Sequence, residues 1–344
     1  MIKVSDLRRV KKYCFDKIVQ QSSARKDLAV KFKPISADMY ECIMCNGEDY
    51  ARLVADTTSL VAMPEIQISW VDFARICDLF NNTVELTVKD YTITFKEGKT
   101  NFKCIMFASD LNDRVNFKFD FENAIQINMR ENLFILPDLG TFNKFCLSGN
   151  HIISTDGSMA AINRLDKSLG DGEYTFTTVF PVGTWFFNPN NKVIVSEDKR
   201  MATTIKQALE GYPTQVLLNL SQQALSNWFE VDVKEFLSCL ERCAKIDSKV
   251  ILRFDQEGFL NIKAENNEYA DFATMIECKL DHPSRKQEIR VLQKYIIEFC
   301  RCAKEDKLKI FFDESPNEYK LKSEADNLTI FAMALRLPAN KLKE

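Results

Sequence analysis

Histidine is almost missing from this chain. Only His151 and His282 occur, and neither has a partner at a spacing that would build a catalytic pair or a metal site. Glycine (10) and proline (9) are scarce, which leaves no low-complexity linker. There is no Gly-rich phosphate loop, no GxSxG and no HExxH, so the usual nucleotide, acyl-transfer and metalloprotease signatures are absent. No apolar run approaches the roughly eighteen residues a membrane span needs. The opening MIKVSDLRRVKK is charged at once and has no apolar stretch of the kind a secretion signal carries. The formal net charge is −3, which provides no overall attraction to nucleic acid.

Cysteine, by contrast, is plentiful, with 11 residues. Cys42 and Cys45 form the only CxxC, and no second pair completes a zinc site. Cys14, Cys77, Cys146, Cys239, Cys243 and Cys300 fall on apolar positions of expected helices, as small hydrophobes do. The expectation is reduced, structural thiols in a cytoplasmic protein without cofactor or metal. With 344 residues, 46% hydrophobic and 28% charged, the chain has the composition of a globular protein of two or three domains.

One pattern recurs along it. Residues 290–337 read as a helix, with Val291, Leu292, Tyr295, Ile296, Phe299, Cys302 and Ala303 on its apolar face, followed by strands. After Asp306 the period changes to two: Leu308, Ile310, Phe312, then Tyr319, Leu321, then Leu328, Ile330, Ala332. The same order appears in LRRVKKYCFDKIV with LAVKFK, YECIMC and YARLVAD. It appears again from residue 68 to 107, and in VDVKEFLSCLERCAKI with VILRF, FLNIKA and FATMIE. Such a unit, recurring about every fifty residues, defines a repeat architecture.

Charge follows the repeat. The first helix sets Leu7, Val10, Cys14 and Ile18 on one side and Arg8, Arg9 and Lys12, with Asp16, on the other. Arg25 and Lys26 extend this basic segment. Helix 232–246 turns Phe236, Leu240, Cys243 and Ala244 inward and Lys234, Arg242 and Lys245, with Glu241, outward. The last helix presents Lys294, Arg301 and Lys304, whereas helix 69–80 has only Arg75. One such face reads as ordinary solvated surface. Three at equivalent positions read as a shared phosphate-facing surface, blind to base sequence because no recognition pattern accompanies it.

Residues 119–215 keep the strands and lose the helices. Strands are expected around His151–Asn163, Phe176–Phe180 and Lys192–Ser196. NLFILPDLGTFNKFC contains Pro137 and Gly140, which break a long helix, and PVGTWFFNPNN leaves room for a turn of helix at most. The expected division is an α+β chain of three domains, 1–115, 116–213 and 214–344, each of two helix-plus-antiparallel-sheet units.

Four segments in this order resemble the bacterial-type DNA sliding clamp, the beta subunit of DNA polymerase III, in a divergent or phage-like form. HIISTDGSMAAI is similar to the family's strand ending in Thr-Asp-Gly. EGYPTQVL is similar to its linker into the third domain, and VDVKEFLSCLERCAKIDSKVILRF to the opening of that domain. TIFAMALRL is similar to its closing strand. The resemblance implies three clamp domains per chain, two chains joined head to tail as a ring, and basic helices around sequence-independent duplex DNA. It also implies a hydrophobic pocket for short linear motifs of polymerase, clamp loader and repair proteins. Carried over by position, the pocket comprises Thr155, Gly157, Ser158, Met159 and Ala160, then Pro213, Val216 and Leu217. Pro316 (with Glu318), Phe331, Ala332, Met333, Ala334, Leu335, Arg336 and Leu337 complete it. Phe331 and Ala332 read equally well as ordinary core. Ser158-Met159 stands where the family commonly has His-Arg, and Ala334 where it has proline, so partner motifs are expected to differ. The competing expectation is a clamp-fold scaffold that binds protein motifs without encircling DNA. An enzyme built on Asp156-Gly157 or Asp171-Gly172 is disfavoured, because Asp-Gly is most often a turn.

Overall fold

A computed structural model describes residues 1–21, 28–46, 49–57, 64–107, 119, 121–129, 134–142, 144–168, 170, 172–176, 183–207, 211–255, 257–266, 270–281, 288–303, 305–313 and 320–333. The chain forms two compact units. One comprises Met1–Glu131 with Tyr174–Ala208, and the other Asn132–Glu173 with Leu209–Glu344.

The first unit starts with helix α1 (Val4–Val10), which passes through a π-helical turn at Lys11–Phe15 into α2 (Asp16–Gln21). Leu7, Val10, Cys14 and Ile18 are all buried, as the helical period requires. Helix α3 (Trp70–Leu79) begins where Ser69 accepts the Asp72 N–H. It buries Phe73 and Ile76, and Phe73 meets Phe15 at 5.5 Å and Phe32 at 6.1 Å between ring centroids. Each such buried side chain contributes about 1.5–3 kcal/mol.

Strands in this unit run as meanders. They are Ala29–Pro34, Met39–Cys45 and Tyr50–Asp56; Thr83–Lys89, Thr92–Glu97 and Thr100–Ile105; and Gly183–Asn188, Val193–Ser196 and Met201–Thr204. A short strand precedes each helix and pairs with the other repeat's meander. Ile2–Lys3, before α1, joins Thr83–Lys89, and Ile66–Ser69, before α3, joins Ala29–Pro34. This exchange interlocks the two repeats, so neither can bury its helix without the other.

The second unit repeats the plan. Its meanders are Phe145–Ser148, His151–Thr155 and Met159–Arg164; Lys249–Phe254, Phe259–Asn266 and Ala270–Leu280; and Lys307–Phe312, Lys320–Ala325 and Leu328–Met333. Helices α4 (Thr214–Ser221), α5 (Val233–Cys243) and α6 (Gln293–Cys302) lie between them in sequence. Asn227–Asp232, before α5, pairs with Lys307–Phe312, and Glu288–Leu292, before α6, pairs with Lys249–Phe254. Asp232 caps α5 by accepting the Glu235 N–H. Phe229 stands at the core, within 6.4 Å of the rings of Phe236, Phe254 and Phe312.

Several expectations are corrected here. Val291 and Leu292 are strand, not helix, because EIRVL alternates and finds a partner in residues 249–253. Ala244 is exposed at the end of α5, and Cys239 takes the inward place. TWFFN is the strand Gly183–Asn188, paired on both sides. Cys146 is buried in a strand. The strand expected at Phe176–Phe180 is Glu173–Phe176, and residues 177–180 lie outside the described residues. Cys42 and Cys45 share one strand at an odd spacing, so they face opposite sides and cannot ligate one ion together.

Candidate functional site

The end of the segment EGYPTQVL, read as a linker, opens helix α4 (TQVLLNLS), which starts after Pro213. Its Leu217 packs on Ile153, Ala160, Ile162 and Phe331, with Tyr212, Leu218 and Leu220 around them. The floor under α4 is the junction of strands Met159–Arg164 and Leu328–Met333, which pair antiparallel with Ala160 opposite Phe331 and Met159 opposite Ala332. Strand alternation divides the expected pocket residues between two faces. Ala160 and Phe331 turn toward α4, whereas Met159 and Ala332 join the core that holds Leu136, Tyr295 and Phe299. Val216 (59% exposed) and Met333 (38%) leave apolar surface open at the rim. Beyond them, Ile162, Thr329, Leu218 and Gln222 line a cleft of about 540 Å³ that also receives His151 and Arg164. Burial, with the Arg164 charge, holds the His151 imidazole below its ordinary value. That cleft was not anticipated; the apolar spacing of Val216, Leu217 and Leu220 after Pro213 was the available signal of the helix that forms it.

The Thr-Asp-Gly turn closes the upper end of the strand pair. Thr155 Oγ1 donates to Met159 O (2.7 Å) and accepts the Gly157 N–H (3.0 Å). Asp156 Oδ1 accepts the N–H groups of Ser158 (2.9 Å) and Met159 (2.7 Å), and Oδ2 meets Lys294 Nζ at 3.3 Å. Met333 N donates to Ser158 O at 2.9 Å, which ties the turn to the last described strand. Both carboxylate oxygens of Asp156 thus have structural partners, and the group is held as a turn former.

The basic residues separate by what they touch. Arg8 donates to the carbonyl oxygens of Cys77 and Phe80, both at 2.6 Å, so its head closes the C-terminal end of α3. Arg9 and Lys12 are exposed on the opposite side from the buried stripe. Lys234 lies 3.6 Å from Asp306, and Lys245 is exposed. The Arg242 guanidinium stacks on Phe272 at 5.6 Å and reaches Cys239 Sγ at 3.2 Å. Lys294 is held between Asp156 and Asp138, and Arg301 by Glu298. Burial pushes the Glu298 carboxyl up despite Arg301. Arg25, Lys26, Lys304, Pro316, Glu318, Ala334, Leu335, Arg336 and Leu337 lie outside the described residues, as does His282.

No family model matches the sequence, and no curated protein matches it. Solved structures match along nearly the whole chain. The Helicobacter pylori beta clamp in complex with diflunisal superposes with a TM-score of 0.71 at 15% identity, covering 98% of this chain and 99% of that one. The H. pylori beta clamp bound to a DNA ligase peptide gives 0.70 at 15% identity, with 98% and 99% covered. The DNA polymerase III subunit beta from Pseudomonas aeruginosa gives 0.68 at 13%, with 97% and 99% covered. The likeness is one of fold: three antiparallel sheets with few helices, in the three-domain clamp architecture.

Proposed function

We propose that this chain is a DNA sliding clamp, a processivity factor that encircles duplex DNA as a head-to-tail homodimer. The observation that carries the reading is the match of fold over 98% of the chain to beta clamps, with 99% of those chains covered in turn. Partial similarity would fit one shared domain; end-to-end similarity supports a whole clamp. Domains 1–115, 116–213 and 214–344 are its three clamp modules. Arg9 and Lys12 are exposed on the first helix and Lys245 in the turn after α5, and with Lys234, which also lies near Asp306, they supply charge for sequence-independent phosphate contact. The apolar rim of Val216 and Met333 beside α4 takes short linear motifs of polymerase, loader and repair proteins, and no catalysis is involved. The protein works in the cytoplasm.

A specific observation favours a second reading, a clamp-fold scaffold without DNA encirclement. Arg8, Arg242, Lys294 and Arg301 are already engaged by protein groups, so the phosphate-facing charge is smaller than the sequence suggests. Small-angle scattering on the purified protein separates the two. A particle of twice the 39.7 kDa chain mass with a hollow centre is expected for the ring. A monomer at micromolar concentration would move the function to the scaffold.

A further inference from the structure

Past the apolar rim, the surface beside α4 changes character. Val216 and Met333 leave the rim open near the start of the helix, and the cleft of about 540 Å³ opens at its other end, beside Leu218, Ser221 and Gln222. Val216 and Gln222 are about 9 Å apart along the helix axis. Leu218 belongs to both regions, since it packs at the edge of the apolar cluster and also lines the cleft. A chain laid across the rim meets the cleft next.

Strand register fixes the floor of the cleft. His151 stands opposite Arg164, and Thr329 stands between Ile162 on one side and Glu324 on the other. The Arg164 backbone N–H donates to Asn327 O at 2.7 Å, which brings the turn at Asp326 alongside. Ile162 and Leu218 make the middle apolar, and the charges lie at the two sides. Arg164 is exposed at one side, and among the described residues no carboxylate of the chain holds its guanidinium. Burial and the Arg164 charge keep the neighbouring His151 neutral at pH 7, so Arg164 carries the charge there. Glu324 and Asp326 are exposed at the other side, with Lys322 Nζ, 2.5 Å from Glu324 Oε1, as a partial offset.

One strand separates those that hold Arg164 and Glu324, so the opposite charges are about 10 Å apart. An extended peptide covers that distance in about three residues. A small anion would be drawn to Arg164 but repelled by the facing carboxylates. A peptide with both signs of charge satisfies both sides.

We propose that this cleft reads the flank of a linear motif bound at the rim. It selects an acidic residue, seated on Arg164, and a basic residue about three positions away, seated against Glu324 and Asp326. The inference rests on the proposed peptide-binding role of the rim, and adds which partners are chosen there. Apolar contacts at the rim supply the affinity. Exposed charge pairs contribute little strength each and act mainly on choice.

The test is fluorescence anisotropy with the full chain and a polymerase-derived peptide. The peptide is used as the motif alone, and extended at either end by Asp-Ser-Ser-Lys, in either order, or by four serines. One charged form is expected to bind about fivefold tighter than its serine counterpart, a gain that shrinks as salt is raised. Arg164→Glu is expected to abolish the gain and leave affinity for the motif alone unchanged, and lysine in place of the peptide's aspartate should then restore it. Glu324→Lys combined with Asp326→Lys should abolish it from the other side. If every charged form binds like its serine counterpart, or the gain survives Arg164→Glu, the cleft assignment is overturned and the rim reading stands. If no form binds, not even the motif alone, the rim reading falls and the cleft assignment falls with it.

Discussion

Gly140 shows how narrowly one residue can be specified. Its φ is +51°, and a Cβ built there would stand 2.8 Å from the carbonyl oxygen of Asp156. Gly98 has a similar φ of +57°, with nothing within 4 Å of the added atom. Both substitutions to alanine carry the left-handed backbone penalty of about 1–2 kcal/mol, but only Gly140→Ala adds a collision with backbone. Gly140→Ala is therefore expected to lower the denaturant midpoint clearly more than Gly98→Ala; equal losses would mean that the Asp156 turn yields. The turn has reason to resist, because Asp156 satisfies two N–H groups and Lys294 at once. Arg8 teaches the converse. Its position on a polar helix face suggests a solvent-facing cation, yet its guanidinium satisfies two carbonyl groups that the end of α3 would leave unpaired.

At the scale of elements, the strand pair under α4 decides which apolar residues are surface and which are core. Phe331 and Leu217, both 8% exposed, hold helix and sheet together, and a charge at either would disrupt the fold. Val216 and Met333 do not have that role. Val216→Asp and Met333→Asp are each expected to leave the melting temperature nearly unchanged. Each should weaken binding of a polymerase-derived peptide, followed by fluorescence anisotropy, by at least about tenfold. Undiminished binding in both would remove the rim from the site. Part of this packing is legible in the sequence: the resemblance groups Ala160, Leu217 and Phe331, and these three pack together at the junction of the two strands. What could not be read was the division of Met159 from Ala160. Adjacent strand residues face opposite ways, and which way is core depends on helices far along the chain. The start of α6 was misplaced for a related reason. Over four or five residues, the alternation of EIRVL fits a helix face as well as a strand.

For the molecule as a whole, the proposed clamp function turns on how much positive charge remains for DNA. Arg9 and Lys12 are the cleanest candidates, because Arg8 beside them is bound to carbonyls. Reversing both, as Arg9→Glu with Lys12→Glu, is expected to reduce the slope of log affinity against log salt by about 2, since each phosphate contact contributes about 0.9. Lys294→Glu would disturb the Asp156 turn as well and is the poorer probe. An unchanged slope in the double variant would show that this helix face does not meet phosphate. The acidic total of −3 is no obstacle, because a Debye length of about 8 Å at physiological salt confines the attraction to nearby groups.

By itself the sequence determined the repeat, most strands of the first two and last two repeats, and the buried stripe of the first helix. All of these follow from the local geometry of the backbone, where periods of two and 3.6 are written into neighbouring residues. Only the tertiary structure decided which strand edges join, which face of the Met159–Arg164 strand meets α4, and which cations are already held. Those outcomes depend on partners far away in sequence, as Arg8 is from Phe80 and Asp156 from Lys294. No local pattern encodes which distant carbonyl or carboxylate a long side chain will reach.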